Sequence, residues 1–360
     1  MITYNNLWSE FASFENLYSA SLKAQKGKRY KRSTLRFNFS LEPKLIQLQK
    51  QLNNNSWQPG EYWSFKIHEP KERTIHAAPY EDRIVHHALI NILEPIWEKR
   101  FYDHSYACRK GKGTHLAVDI CQKYMNEFKY VLKCDIKKYF PSIDREVLKN
   151  IISKKIKDKK LINVIYNIID SSPEFEQENI QLNSINDDQL FLFGKNSKYK
   201  TGIPIGNLTS QFFANVYLNE LDQWLKRECK IKGYVRYMDD FLIFHNDKAY
   251  LQTLKKDAKI FLSQKLQLDL HPNKAEIFPI KNGVTFLGYH VFNSHRRIQK
   301  SNINRFLNRM KLKQFEYANN KIKLKDITQS IKAWIGHSAH ADTYHLREDL
   351  FQNLIFSKNN

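Results

Sequence analysis

The sequence predicts an α+β chain in which a short antiparallel sheet carries the chemistry and basic helices follow it. Three observations predict this. Short β-branched and aromatic runs close on acidic residues, apolar positions recur at helical spacing before and between those runs, and a basic amphipathic tail begins at about Ser301. At 360 residues, 42% hydrophobic and 13% aromatic, the chain can bury a substantial core and has room for two or three domains.

The first 130 residues or so are rich in Lys, Arg and aromatics. Within them Ile84, His87, Ala88, Ile92 and Ile96 recur at helical spacing across Arg83 to Trp97, after a start signal of Pro79, Glu81 and Asp82. Tyr130 to Phe140 reads as a buried strand stopped by Pro141. Residues 171–200 are polar around one apolar patch and read as an irregular insertion or a hairpin. After the turn residues TGIPIGN, Phe213, Val216, Tyr217, Leu221, Trp224 and Leu225 predict a helix capped by Thr209 or Ser210. GYVRYM and FLIFH read as two strands separated by Asp239 and Asp240, which places two acids at a hairpin tip.

Lys and Arg number 58 against 37 Asp and Glu, a formal charge of +21 that repels itself unless a polyanion is bound, so nucleic acid is the expected partner. No apolar run reaches the 18 residues a membrane span needs, and no membrane association is expected. The N-terminus lacks the pattern of a secretory signal, which predicts a cytoplasmic protein. Cys108, Cys121, Cys134 and Cys229 lie far apart without a C-x-x-C pair, so buried or neutral thiols are expected instead of a zinc site or disulfides. His337 and His340 have no third ligand in sequence reach and are read as polar helix contacts.

The candidate chemistry lies in Asp135, Asp239 and Asp240. Mg²⁺ is a hard ion that takes oxygen ligands and few of them from protein, so two or three Asp converging at strand ends suffice to hold it. Without cations, three clustered carboxylates repel one another. Tyr237-Met238-Asp239-Asp240, flanked by apolar runs and preceded about a hundred residues earlier by an acid in CDIKKYFPSID, resembles the palm of reverse transcriptases.

That resemblance extends over nearly the whole chain. It implies a right-hand polymerase with an antiparallel palm sheet. Residues 1–130 would be the N-terminal region and fingers, 131–295 the palm with a fingers-type insertion at about 145–205, and 296–360 a helical thumb. It implies RNA-directed DNA synthesis with two Mg²⁺ ions, or Mn²⁺ in their place, held by Asp135, Asp239, Asp240 and the backbone carbonyl of Ile136. Template RNA, nascent cDNA and deoxynucleoside triphosphates would be the partners. Phe140 falls where the family places an aromatic gate against the 2′ hydroxyl. PKER (Pro70 to Arg73), APYEDRIVHHAL, LEPIWEKRF and SYACRKGKGTHLAV resemble bacterial fingers, which makes Lys71 and Arg73 candidates for clasping the triphosphate. HPNKAEIF suggests Lys274 near the pyrophosphate as a general acid, and VTFLGYHV suggests Phe286, Leu287 and Gly288 as a primer grip.

Most of the superfamily carries P-Q-G-x-x-x-S-P beneath the templating pair, whereas this chain has Pro204-Ile205-Gly206-Asn207-Leu208-Thr209-Ser210-Gln211. Together with WIGHSAHADTYHLR (Trp334 to Arg347), this form resembles the reverse transcriptases of diversity-generating retroelements. In that group the enzyme misincorporates opposite adenine while copying a template-repeat RNA, in bacteria or phage-infected bacteria. It works with a small basic accessory variability protein that forms a ring. A glutamine amide at 205 would donate and accept hydrogen bonds near the nascent pair, and isoleucine cannot. Ile205, Gly206 and Gln211 are therefore candidate nucleotide-site residues, with Ile205 and Gln211 expected to lower fidelity. The alternatives are a phage-defence or retron-type reverse transcriptase using the same acids, and a non-catalytic RNA-binding scaffold.

Overall fold

The computed structural model describes residues 2–68, 72–173 and 200–358. In chain order the elements are α1 (Trp8–Phe11), α2 (Phe14–Ala24), α3 (Arg32–Asn38), α4 (Leu41–Asn53), β1 (Trp63–Ile67), β2 (Arg73–Ala77), α5 (Tyr80–Glu98), α6 (Thr114–Glu127), β3 (Tyr130–Asp135), α7 (Tyr139–Ser142), α8 (Arg145–Ser153) and α9 (Lys159–Asp170). They continue with α10 (Leu208–Gln223), β4 (Gly233–Tyr237), β5 (Asp240–His245), α11 (Lys248–Leu266), β6 (Glu276–Pro279), β7 (Val284–Phe286), β8 (Tyr289–Val291), β9 (Arg296–Ile298), α12 (Lys300–Ala318), α13 (Leu324–Ser338) and α14 (Tyr344–Gln352). Two compact units result. Unit 1 comprises Met1–Asp103, Ile136–Cys229 and Asp257–His271, and unit 2 comprises His104–Asp135, Lys230–Lys256 and Pro272–Asn360.

Unit 1 is organised on α5. Pro79 precedes its first residue and Glu81 and Asp82 lie in its first turn, where the helix dipole favours acids. Ile84, Ala88 and Ile92 are buried as their spacing predicts. Against it pack α2, tied by Asn16 Nδ2 donating to Ala88 O (3.2 Å), and α10, whose Phe212 meets Trp97 edge-on at 5.8 Å. Asp144 and Asp158 cap α8 and α9 by accepting from Val147 N and Leu161 N. Asp158 also accepts from Leu7 N and Trp8 N, which pins the first helix.

Unit 2 holds a four-stranded antiparallel sheet in the order β4-β5-β3-β6 and a three-stranded one, β7-β8-β9. One core joins them: Val131, Val235, Leu242 and Phe244 from the first sheet, Phe286, Tyr289 and Val291 from the second, Ala117, Val118 and Cys121 from α6, and Phe306, Met310 and Trp334 from the C-terminal helices. Each Val, Leu, Phe and Met side chain among them contributes roughly 1.5–3 kcal/mol by leaving water. The α+β class with antiparallel sheets is thus observed.

Three local expectations need correction. The strand predicted to reach Phe140 ends at Asp135, because Lys138 turns into left-handed backbone (φ 45°) and the short α7 follows. Helix α10 begins at Leu208 after Asn207; Thr209 and Ser210 lie buried inside it and cannot cap it. Asp239 and Asp240 are not the two-residue turn: Tyr237 pairs with Asp240, so Met238 and Asp239 form it and Asp240 opens β5. All four cysteines are free, as expected: Cys121 and Cys134 are buried, and burial raises the thiols of exposed Cys108 and half-buried Cys229, which keeps them neutral. Lys71 and nearly all of 171–200 lie outside the described residues. No helix among the described residues is long and apolar enough to cross a membrane.

Candidate active site

Unit 2 brings the three acids to one end of its central strands. Asp135 closes β3, Asp240 opens β5, and the two are direct cross-strand partners. Side chains so opposed have Cβ atoms about 4.5–5.5 Å apart, a position in which like charges destabilise the sheet. Asp239 precedes Asp240 in the turn. Met238 takes a left-handed φ of 57° there, uncommon for a residue with a side chain and a usual mark of a turn held in place by its surroundings.

The hold comes from Arg236. Its side chain is fully buried and Nη1 donates to Met238 O at 3.1 Å. The backbone of Arg236 is itself bound on its outer edge, its N donating to His104 O and its O accepting from Tyr106 N, both at 2.9 Å. Tyr237 is tied from another direction, its hydroxyl accepting from Thr114 Oγ1 at 3.3 Å. The hairpin tip is therefore fixed before any substrate arrives.

Electrostatically the site is unfinished. Asp240 Oδ1 is sealed from solvent with no hydrogen-bond partner among the described residues. Burial above all, with repulsion from Asp135 and Asp239, pushes the Asp240 carboxyl up from 3.8 to about 7, while Lys133 and Lys274 pull it back. Lys274 Nζ sits 3.0 Å from Asp135 Oδ2. Lys133 lies two residues before Asp135, hence on the same face of β3, and its Nζ donates to Thr285 O at 2.7 Å. Among the described residues no group of three or more His, Cys, Asp or Glu side chains is already gathered around a metal position. A buried carboxylate oxygen without a partner, beside two more hard oxygen donors, nevertheless fits a divalent cation, which would supply the missing opposite charge.

The other candidates fall into two further groups. In unit 1, β2 and the loop 204–207 lie together: His76 N donates to Ile205 O (3.0 Å), Asn207 Nδ2 donates to His76 O (3.0 Å), and Asn207 Oδ1 accepts from Ala78 N (3.3 Å). Arg73 opens the same strand and is exposed. Gly206 has φ 116°, and a Cβ there would meet Ile75 Cγ2 at 2.7 Å, so only glycine allows this approach. Ile205 and Gln211 are half-buried. Phe140 joins the group through its carbonyl, which accepts from Ile203 N at 3.0 Å. Ile136 is buried and bridges Leu270.

In unit 2, Leu287 (φ 49°) and Gly288 (φ 90°) form a two-residue turn between β7 and β8, while Phe286 is buried in the core. Gly288 O accepts from Gln299 N and Asn302 Nδ2. The turn borders a cavity of about 430 Å³ lined also by Arg305, Arg309 and Trp334. His337 bonds the hydroxyl of Tyr289 through Nδ1 (2.9 Å), and His340 stacks on His115 at 3.5 Å between ring centres.

Sequence reading missed Lys133, Arg236 and Asn207. Strand periodicity had the signal for Lys133, two places from Asp135. A lone Arg inside the apolar run GYVRYM marked Arg236 as a buried cation needing several acceptors.

Residues 66–291 match the family described as reverse transcriptase (RNA-dependent DNA polymerase). Protein YkfC of Escherichia coli (strain K12) is 24% identical over 264 residues, which is 63% of this chain and 65% of that protein. Group II intron-encoded protein LtrA of Lactococcus lactis subsp. cremoris is 24% identical over 346 residues, 78% of this chain and 54% of that protein. The chain thus spans between about half and two thirds of the length of these relatives. Among solved structures, apo telomerase from Candida tropicalis, truncated from its C-terminal domain, aligns with a TM-score of 0.43 at 14% identity, over 67% of this chain and 55% of that one.

Proposed function

Since this chain belongs to the reverse transcriptase family, with the helices and antiparallel sheets of a right-hand polymerase, we propose that it copies RNA into DNA. We further propose that it does so as the error-prone enzyme of a diversity-generating retroelement. The observation that carries the polymerase reading is the cross-strand pair of Asp135 and Asp240 with its partnerless buried oxygen.

In this reading Asp135, Asp239 and Asp240, with the carbonyl of Ile136, hold two Mg²⁺ ions, for which Mn²⁺ substitutes. When bound, such ions make a primer 3′ hydroxyl nucleophilic and neutralise the departing pyrophosphate. The protein's own part is placement. Arg236 keeps the Met238–Asp239 turn rigid, so Asp239 and Asp240 lose little entropy on taking a cation. Lys133 and Lys274 place positive charge beside the acids, which keeps Asp240 more readily ionised than burial alone would allow. Lys274, now 3.0 Å from Asp135, is positioned to turn to a leaving phosphate and donate its proton there. Arg73, and Lys71 before it, clasp the triphosphate, and Phe140 discriminates against the 2′ hydroxyl. Phe286, Leu287 and Gly288 support the primer end.

The error-prone reading rests on the loop 204–207. Asn207 and Gly206 fix its backbone against β2, while the half-buried position 205 carries a hydrocarbon side chain that offers no hydrogen bond to a base pair. A small basic accessory protein would complete the working complex. The test is cDNA synthesis on an adenine-containing RNA template with primer and Mg²⁺, the products sequenced. Errors concentrated at template adenines in wild type, reduced in Ile205→Gln, and no product from Asp239→Asn/Asp240→Asn are the expected results. Accurate cDNA from wild type would remove the retroelement reading and keep the polymerase; no cDNA even with an accessory protein would remove both.

A further inference from the structure

Unit 1 contains a feature that the chemistry above does not use. From residue 16 to residue 41 the chain has no acidic residue, yet it carries Lys23, Lys26, Lys28, Arg29, Lys31, Arg32 and Arg36. Interleaved with them are Tyr30 and Phe39, 95% and 93% exposed, where aromatic rings would ordinarily be covered. Basic residues interleaved with open rings are the composition of a single-stranded nucleic-acid surface, where phosphates meet the charges and bases meet the rings.

This segment borders a cavity of about 1110 Å³, lined by Arg32, Arg36, Phe37, Trp57, Tyr80 and Asp82 among others. Arg32 and Arg36 are four apart on α3, hence on one face, both are exposed, and neither has an ion-pair or hydrogen-bond partner among the described residues. The acids of the cavity are already committed: Glu81 pairs with Lys44 at 3.6 Å, and Asp82 accepts from Gly60 N at 2.8 Å. What remains open is positive. The wall is aromatic, with Phe37 and Tyr80 edge-on at 5.4 Å and Lys44 Nζ 5.1 Å above the Phe37 ring. The second, independent sign is Tyr80. Its side chain is 94% buried by its 6% exposure, and its hydroxyl is sealed with no partner among the described residues. Buried hydroxyls are nearly always bonded, so one without a partner in a cavity wall marks a place where a ligand atom completes it.

We propose that this cavity holds a nucleotide of single-stranded RNA, with flanking phosphates on Arg32 and Arg36 and the base at the Phe37, Trp57 and Tyr80 wall. Arginine is suited to the first role because its planar fork meets two phosphate oxygens at once. The Tyr80 hydroxyl hydrogen-bonds the base edge, and Tyr30 and Phe39 offer stacking surfaces to its neighbours along the strand. The inference rests on the reading that the chain works on RNA, but not on its fidelity or on the acids of unit 2.

The test uses the full chain and a fluorescein-labelled single-stranded oligoribonucleotide, with no primer and no nucleotides, titrated across roughly 50–200 mM salt. Each phosphate neutralised on a single strand contributes about 0.7 to the slope of log affinity against log salt, so Arg32→Gln/Arg36→Gln should flatten it by about 1.4. If wild type and variant converge near 1 M salt, that slope corresponds to about 25-fold weaker binding near 0.1 M. Arg32→Lys/Arg36→Lys should restore the slope. Tyr80→Phe should leave the slope alone and weaken binding about fivefold, the value of one hydrogen bond. A glutamine variant with wild-type melting temperature and unchanged slope and affinity overturns the proposal, as does a lost slope that lysine fails to restore. Wild type that binds RNA with the expected slope but makes no cDNA even with an accessory protein would undo the polymerase reading and leave this site standing. An unchanged slope in an active enzyme would undo this site alone.

Discussion

Replacing Asp240 with asparagine should abolish synthesis and, in the metal-free protein, make the fold more stable. Burial and two neighbouring acids raise the carboxyl from 3.8 to about 7. At about 1.36 kcal/mol per unit, the ceiling on the penalty of keeping it ionised is about 4 kcal/mol. The side chain is partly open to solvent, so screening reduces this to about 1–2 kcal/mol. The folded state binds this proton more tightly than the unfolded one, so the stability it confers is full below the unfolded value near 4. It is lost as pH rises to about 7. Asparagine carries no charge at any of these values. Thermal melts in EDTA at about pH 8 should therefore place Asp240→Asn some 1–3 °C above wild type, and the gap should close at about pH 4. Adding Mg²⁺ should raise the wild type more than the variant, because only the wild type has the charge the ion neutralises. A variant that melts at or below wild type in EDTA at the higher pH, or a gap that ignores pH, would refute the claim that this carboxylate lacks a partner.

Other outcomes follow from single contacts. Lys133→Met removes a cation that holds the Asp240 carboxyl down, so the acid limb of the pH profile of primer extension should move to higher pH; an unmoved limb would show that Lys133 acts only through its bond to Thr285. Gly206→Ala sets a Cβ 2.7 Å from Ile75 Cγ2 at φ 116°, which should cost about 1–3 kcal/mol, read as a lower urea midpoint; an unchanged midpoint would mean the loop shifts freely. Burial, with His87 and Arg83 nearby, lowers His86 from 6.5 to about 3, so the fold keeps its stability above about 6.5 and loses it as pH falls toward 3. At about pH 5 this amounts to about 2 kcal/mol, and His86→Leu should remove that share of the acid sensitivity in urea titrations at both pH values.

The candidate site of unit 2 was largely legible because its residues are placed by local sequence. An acid closing a β-branched run and two acids between apolar runs need only strand periodicity to place them at strand ends. The errors are instructive about what is not local. Which two residues make the hairpin turn depends on register, and register is set by the partner strand; Asp240 belongs to β5 because it faces both Tyr237 and Asp135. Thr209 and Ser210 have the side chains of caps, but Asn207 takes the boundary and spends its amide on His76 and Ala78, partners more than a hundred residues away. The partnerless hydroxyl of Tyr80 and the empty charges of Arg32 and Arg36 likewise appear only once distant segments are in place.

The order of strands β4-β5-β3-β6 has a consequence for how the chain is made. The central strand is synthesised first, and both of its neighbours come later; the Lys274 that meets Asp135 lies 139 residues downstream. At about 5–20 residues per second, a ribosome needs roughly 7–28 s to cover that distance. Until β5 is made, Val131, Leu132 and Cys134 form an apolar strand with two open edges, and until β6 is made one edge stays open, the form most prone to pair with the wrong chain. Yield in the cell should therefore depend on chaperones that shield a nascent strand, and slow codons between Asp135 and Asp240 should lower the soluble fraction without changing the finished protein.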